Sequence, residues 1–374
     1  MRRAVAGGLL AALVAAAPAF GAPPDLAATA PGEILSAEPT SARLLPRAPK
    51  AWRVLYRSTS AEGAPIAVSG AVIVPPGARH VLAIAPSTQG FADRCAASRR
   101  QQDLTLTELP MVAAATARGW AVAMTDYEGL GTPGQHTMFV GRSEGHAVLD
   151  ALRAARALPA SGLAAGGRTG VLGYSQGGGA AAWTAQLQPT YAPDVPLAGV
   201  AAGGTIADLP AFLAAGSGTW GAGAGFGTLL GLDAAYADLD LAPLLTPRGA
   251  SFARTVGSRC AVEWIATLNY PRASALLTTD PFADPAWARR AQENTPGDAA
   301  PVAPVLLYHG RGDRSVPIAG AERLRDAWCA GGATVRWRPM ATDHAGALIS
   351  GTATALSWLG SRIAGTATEP GTCV

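Results

Sequence analysis

The segment Gly173-Tyr174-Ser175-Gln176-Gly177 sets a serine between small residues, after the apolar run Thr169-Gly170-Val171-Leu172 and before Gly178-Gly179-Ala180-Ala181-Ala182. A serine so placed reads as a nucleophile on a sharp strand-to-helix turn, where bulky residues two positions away would clash. The backbone N–H of Gln176, opening the next helix, would face a developing oxyanion. A second match to the same spacing is Gly141-Arg142-Ser143-Glu144-Gly145. It follows only a weak strand candidate, His136 to Val140, and precedes the amphipathic stretch Ala147-Val148-Leu149. We read Ser143 as a helix cap with Glu144 in the first turn. Ser175 is the expected nucleophile.

A serine nucleophile needs a base and a group to orient that base, in the chain order serine, acid, histidine on this scaffold. Five histidines are present, and only His309 and His344 follow Ser175. His344 lies in Thr342-Asp343-His344-Ala345-Gly346, a short loop after the last strand, and is the expected base. Asp313 lies in Gly310-Arg311-Gly312-Asp313-Arg314, just past a strand end, and is the expected acid. His309 ends that strand and reads as a buried, hydrogen-bonded histidine. Asp343 is a poorer acid, because adjacent side chains diverge in extended chain. The second oxyanion donor is expected in the loop Pro86-Ser87-Thr88-Gln89-Gly90-Phe91, from Gln89 by backbone or side chain, the alternative being a plain turn.

The elements that must position these residues alternate along the chain. Trp52–Thr59 and Ile66–Val74 read as an antiparallel pair around Ala61-Glu62-Gly63. Buried strands are expected at Val81–Ala85, Ala121–Thr125, Gly170–Tyr174, Leu197–Ala202, Val302–Tyr308 and Thr334–Pro339. Helical patterns cover Leu104–Arg118, Glu144–Leu158, Gly178–Gln188, Ala319–Cys329 and Ala345–Ile363. Apolar strands alternating with helices predict an α/β fold, a mostly parallel sheet with helices on both faces. Residues 206–298 break this rhythm and read as a helical cap inserted into one catalytic domain, residues 23–205 and 299–374. In that insertion Trp220, Phe226, Leu229 and Leu230 are candidates for contact with an apolar substrate, the alternative being the cap's own core.

Composition narrows the function classes. The chain has 374 residues, 49% hydrophobic and only 15% charged, which excludes a disordered chain. Its 29 basic residues include a single lysine, Lys50, and form no basic stripe, which argues against nucleic-acid binding. Met1-Arg2-Arg3 followed by apolar small residues to Phe20 reads as a secretory signal, residues 1–22. Losing Arg2 and Arg3 lowers the formal charge from +3 to +1, so the expected product is a nearly neutral, secreted monomer without a spanning segment. Four cysteines in such a chain suggest two disulfides in one of three connectivities. We favour Cys95–Cys260 with Cys329–Cys373, the second tying down an otherwise free C-terminus. The spacings carry no metal signature, and the chemistry asks for no cofactor.

Taken together, Thr88-Gln89-Gly90-Phe91-Ala92-Asp93-Arg94-Cys95, Thr125-Asp126-Tyr127-Glu128-Gly129-Leu130-Gly131, the Ser175 motif, His309-Gly310-Arg311-Gly312-Asp313 and Asp343-His344 resemble the secretory lipase family, which contains the fungal lipase A enzymes. The resemblance spans nearly all of the mature chain. It implies an α/β-hydrolase acting as a secreted triacylglycerol lipase or carboxylesterase in lipid catabolism, with Ser175, Asp313 and His344 as the triad and a helical cap before the acid. It also implies the Cys95–Cys260 pairing. The family's oxyanion acid falls near Gln89, where this chain carries an amide. The alternative is an acyltransferase or a peptidase on the same scaffold, since fold does not fix the acceptor.

Overall fold

The computed structural model describes residues 25–42, 44–103, 105–267, 270–366, 371 and 373; the expected signal segment lies outside them. In chain order the elements are β1 (Ile34–Thr40), β2 (Lys50–Thr59), β3 (Pro65–Val74), β4 (Val81–Ala85), α1 (Ala97–Gln102), α2 (Leu109–Ala117) and β5 (Ala121–Thr125). Then follow α3 (Gly141–Ala157), β6 (Thr169–Tyr174), α4 (Gln176–Tyr191) and β7 (Leu197–Gly203). Between β7 and β8, in the expected insertion, lie α5 (Leu209–Gly216), α6 (Ala222–Ala235), α7 (Pro247–Gly257), α8 (Ala261–Thr267), α9 (Ala273–Leu276) and α10 (Pro285–Glu293). The chain closes with β8 (Val305–Gly310), α11 (Ile318–Ala330), β9 (Val335–Met340) and α12 (His344–Ala364).

The strands form one sheet in the order β1-β2-β3-β5-β4-β6-β7-β8-β9. Pairing is antiparallel from β1 to β5 and parallel from β5 to β9. Because successive side chains leave a strand on opposite faces, Val171 and Leu307 enter one core while Leu172 and Leu306 enter the other. α3, α4 and α11 cover the first face, with Trp183 and Trp328 fully buried there. α2 and α12 cover the second through Val112 and Leu359. A third core, built on Phe212, Phe226, Leu229, Trp264 and Trp287, holds the insertion together and seats it on Phe91, Met138 and Ile206. Register pairs Tyr174 with Gly203, and Gly203 with Tyr308. The carboxyl ends of β6, β7 and β8 therefore finish level, where ligands bind in open α/β sheets.

Four expectations need correction. The helix expected over residues 104–118, whose first residue lies outside the described ones, begins only at Leu109, because Pro110 fits only the first turn of α2. β1 was not foreseen: it is a partly exposed edge strand without clean alternation, and an edge tolerates its Pro39. Val302 stays exposed, and β8 begins only after Pro304. Ser143 is no cap, since α3 starts at Gly141 and Ser143 sits buried inside its first turn. The disulfides form in the favoured pairing, Cys95–Cys260 and Cys329–Cys373.

Candidate active site

Ser175 occupies the turn between β6 and α4 at φ 59° and ψ −119°, a strained conformation for a non-glycine residue. The turn is closed by backbone alone: Ser175 N–H donates to the Gly203 carbonyl at 2.9 Å. A Cβ on Gly173 would lie 1.9 Å from the Gly177 oxygen, and one on Gly177 would lie 2.0 Å from the Ala85 oxygen. The motif's glycines are thus dictated by β6, α4 and β4 meeting at van der Waals distance.

His344 opens α12, and its Nδ1 lies 2.6 Å from Asp313 Oδ2. An ionised carboxylate only accepts, so Nδ1 carries the proton and Nε2 presents its lone pair. Asp313 Oδ1 accepts from the N–H groups of Ser315 at 2.9 Å and Val316 at 2.8 Å, which fixes the carboxylate in the turn after β8. Burial would push the Asp313 carboxyl up, but hydrogen bonds from His309 and His344 outweigh it and hold the group well below the usual carboxylate range. His309 is fully buried, with Nε2 2.9 Å from the Val316 carbonyl and 3.4 Å from Asp313 Oδ2. It therefore serves the turn that carries Asp313. Asp343 is excluded as that acid, because its side chain caps α12 by accepting from Gly346 N–H at 2.9 Å.

The serine turn and the histidine converge on the end of β7. Tyr174 donates its hydroxyl to the His344 carbonyl at 2.5 Å, and the two rings lie 5.0 Å apart. A Cβ on Gly204, the residue after the carbonyl that binds Ser175, would come within 3.2 Å of His344 Cε1.

The two expected oxyanion donors differ. As first residue of α4, Gln176 has a backbone N–H without a partner in its own helix. The Gln89 side chain is not available for the role. Its Nε2 donates to the Ser87 carbonyl at 3.0 Å and to Glu108 at 3.2 Å, while its Oε1 accepts from Arg100 at 2.7 Å. Its carbonyl accepts from Ala261 N–H at 2.8 Å, stitching the loop to the insertion beside the Cys95–Cys260 bond. Only the Gln89 backbone N–H lacks a partner among the described residues.

Of the four substrate candidates, Trp220 alone faces the site, 47% exposed with its ring 6.4 Å from His344. Phe226, Leu229 and Leu230 are buried in the insertion's own core, Phe226 edge-on to Phe252 at 5.3 Å. α6 is apolar all round, so its sequence did not reveal which face turns inward. A cavity of about 830 Å³ is lined by Arg156, Thr169, Leu197 and Arg362 at the opposite ends of β6 and β7, away from Ser175. His309 is the buried, hydrogen-bonded histidine expected, but its contact with Asp313, and that of Tyr174 with His344, were not foreseen. Both adjoin motif residues, but nothing local tells where their rings point.

A mostly parallel sheet with a serine on a strained strand-to-helix turn, beside an Asp–His pair, defines the α/β-hydrolase class. Residues 97–371 match the family described as secretory lipase. The chain belongs to that family and is an ester hydrolase of the lipase and carboxylesterase type. It is 28% identical over 344 residues to "Secreted triacylglycerol lipase LIP7" of Malassezia globosa, covering 84% of this chain and 70% of the relative. It is 29% identical over 345 residues to "Probable inactive lipase MT1628" of Mycobacterium tuberculosis, covering 86% and 75%. Candida antarctica lipase A superimposes with a TM-score of 0.84 at 20% identity, over 93% of this chain and 85% of that one, a likeness of fold. Among the described residues no helix is long and apolar enough to cross a membrane.

Proposed function

We propose that Ser175, His344 and Asp313 form the catalytic triad of an extracellular lipase or carboxylesterase acting on fatty-acid esters, triacylglycerols among them. The reading rests on one observation: the protonated Nδ1 of His344 is held 2.6 Å from Asp313, next to the turn that bears Ser175. His344 Nε2 would take the Ser175 proton as Oγ attacks the ester carbonyl, with Asp313 stabilising the imidazolium. The N–H groups of Gln176 and Gln89 would hold the oxyanion, each worth about 3 kcal/mol of barrier. The alcohol leaves with the proton from His344, and water then releases the acid by the same steps reversed. Trp220 offers the apolar wall an acyl chain needs. Relatives named secreted support export, and so do two disulfides, which persist in oxidising surroundings.

The test is active-site labelling with a fluorophosphonate, combined with hydrolysis of acyl esters from short to long chains. Labelling and turnover lost together in Ser175→Ala are the expected result. A label that persists in that variant, or its absence from the wild-type chain, overturns the proposal.

A further inference from the structure

The second G-x-S-x-G segment has no nucleophilic turn, yet its glycines pack on α4 and its Glu144 reaches the residue after Ser175. Gly141 and Gly145 let α3 close on α4: a Cβ on Gly141 would sit 1.8 Å from Trp183 Nε1, and one on Gly145 would sit 2.9 Å from Leu187. Ser143 donates to Glu128, which also accepts from Thr137, so the loop after β5 is tied down. Glu144 is 2% exposed and has no cationic partner among the described residues; its Oε1 accepts from Phe139 N–H at 2.9 Å and from the Gln176 side-chain amide at 2.7 Å. Gln176 is the residue after the nucleophile.

The amide's orientation follows from donor arithmetic. His136 is fully buried, and burial lowers its pKa to about 4, so the ring is neutral. Its Nδ1 faces the Glu128 carbonyl at 2.8 Å and must donate, which leaves Nε2 as an acceptor. That Nε2 lies 3.4 Å from Gln176 Nε2. Two acceptors, Glu144 and His136, thus claim the two hydrogens of one NH₂ group. The amide oxygen has no partner among the described residues, and Gln176 lines a small cavity of about 10 Å³ with Glu144, Trp183 and Asn294.

We infer that Glu144 is a positioning residue for the reaction proposed above: by holding the Gln176 side chain it fixes the Ser175–Gln176 peptide whose N–H faces the oxyanion. The inference rests on that hydrolase reading. With Glu144 removed, the amide is free to change rotamer, and the first turn of α4 loses its anchor to α3. Displacing an oxyanion donor by a fraction of an ångström lowers turnover and leaves ground-state binding nearly unchanged.

The experiment measures kcat and KM of the full chain on a p-nitrophenyl acyl ester, with fluorophosphonate labelling, for Glu144→Ala, Glu144→Gln, Gln176→Ala and the double alanine variant. Glu144→Ala should lose about 10- to 100-fold in kcat with KM within about twofold. Glu144→Gln, which keeps a carbonyl acceptor, should restore most of that loss. Gln176→Ala should show a similar drop, and adding Glu144→Ala to it should cost less than about threefold more. Unchanged kcat in a folded Glu144→Ala variant, or losses that multiply in the double variant, overturns the inference. If Glu144→Ala does not fold, Gln176→Ala decides: wild-type kcat there overturns it equally. A wild-type chain that neither turns over nor labels instead defeats the hydrolase reading, and this inference with it.

Discussion

The buried Glu144 carboxyl makes a quantitative prediction about stability. Burial pushes it from its ordinary value of 4.5 up to about 7, against the opposing hydrogen bonds from Gln176 and Phe139. Between those two pH values the folded chain holds a proton that the unfolded chain has released. Stability from this group is therefore complete below pH 4.5 and is lost as pH rises through 7. At about 1.4 kcal/mol per pH unit, the loss amounts to about 3 kcal/mol by pH 8. Glu144→Gln keeps the shape and a carbonyl acceptor but cannot ionise. Relative to wild type, its melting temperature should rise between pH 4.5 and pH 8 by about 4 °C, taking the unfolding entropy of a chain this long. Tyr127, His136 and Glu128 lie around the carboxyl and are present in both proteins, and the buried His146 is likewise shared. Their own titrations largely cancel in the difference. Thermal unfolding of both proteins by circular dichroism, at matched ionic strength across this range, is the assay. A difference that stays flat from pH 4.5 to 8, or falls, refutes the claim that Glu144 carries a buried, proton-holding carboxyl.

Asp313→Asn leaves the turn geometry but removes the acceptor that sets the His344 tautomer, so kcat should fall about 10⁴-fold with fold intact by circular dichroism. Opening the Cys95–Cys260 bond, which spans 165 residues, should destabilise the chain by about 5 kcal/mol in the chain-entropy account, read as a lowered denaturation midpoint for the paired Cys→Ser variant. Trp220→Ala should raise KM more for long acyl esters than for acetyl esters, because the exposed indole beside His344 is apolar surface that only a long chain covers.

The site was legible in the sequence wherever its parts are local. The serine turn is a contiguous strand, turn and helix, and Gly173 answers to a backbone clash with Gly177 four residues away. The Gln89 side chain was not legible: its partners Arg100 and Glu108 come from α1 and the start of α2, and only packing brings them together. Nor was the inward turn of Phe226 and Leu229, since an all-apolar helix carries no periodic signal of its buried face.

By itself the sequence determined the reaction class and the alternation of buried strands and helices, and it pointed to Ser175, Asp313 and His344 as the proposed triad. These depend on residue types and short spacings, which the chain carries within each element. Tertiary structure alone decided that the second G-x-S-x-G segment braces the first. It also decided that His309 shares Asp313 with His344, and that a carboxyl and a neutral imidazole claim one amide. Those outcomes depend on where side chains from distant elements point once α3, α4 and the loops at the sheet's edge are packed, and side-chain direction across such gaps is set by packing, not by spacing along the chain.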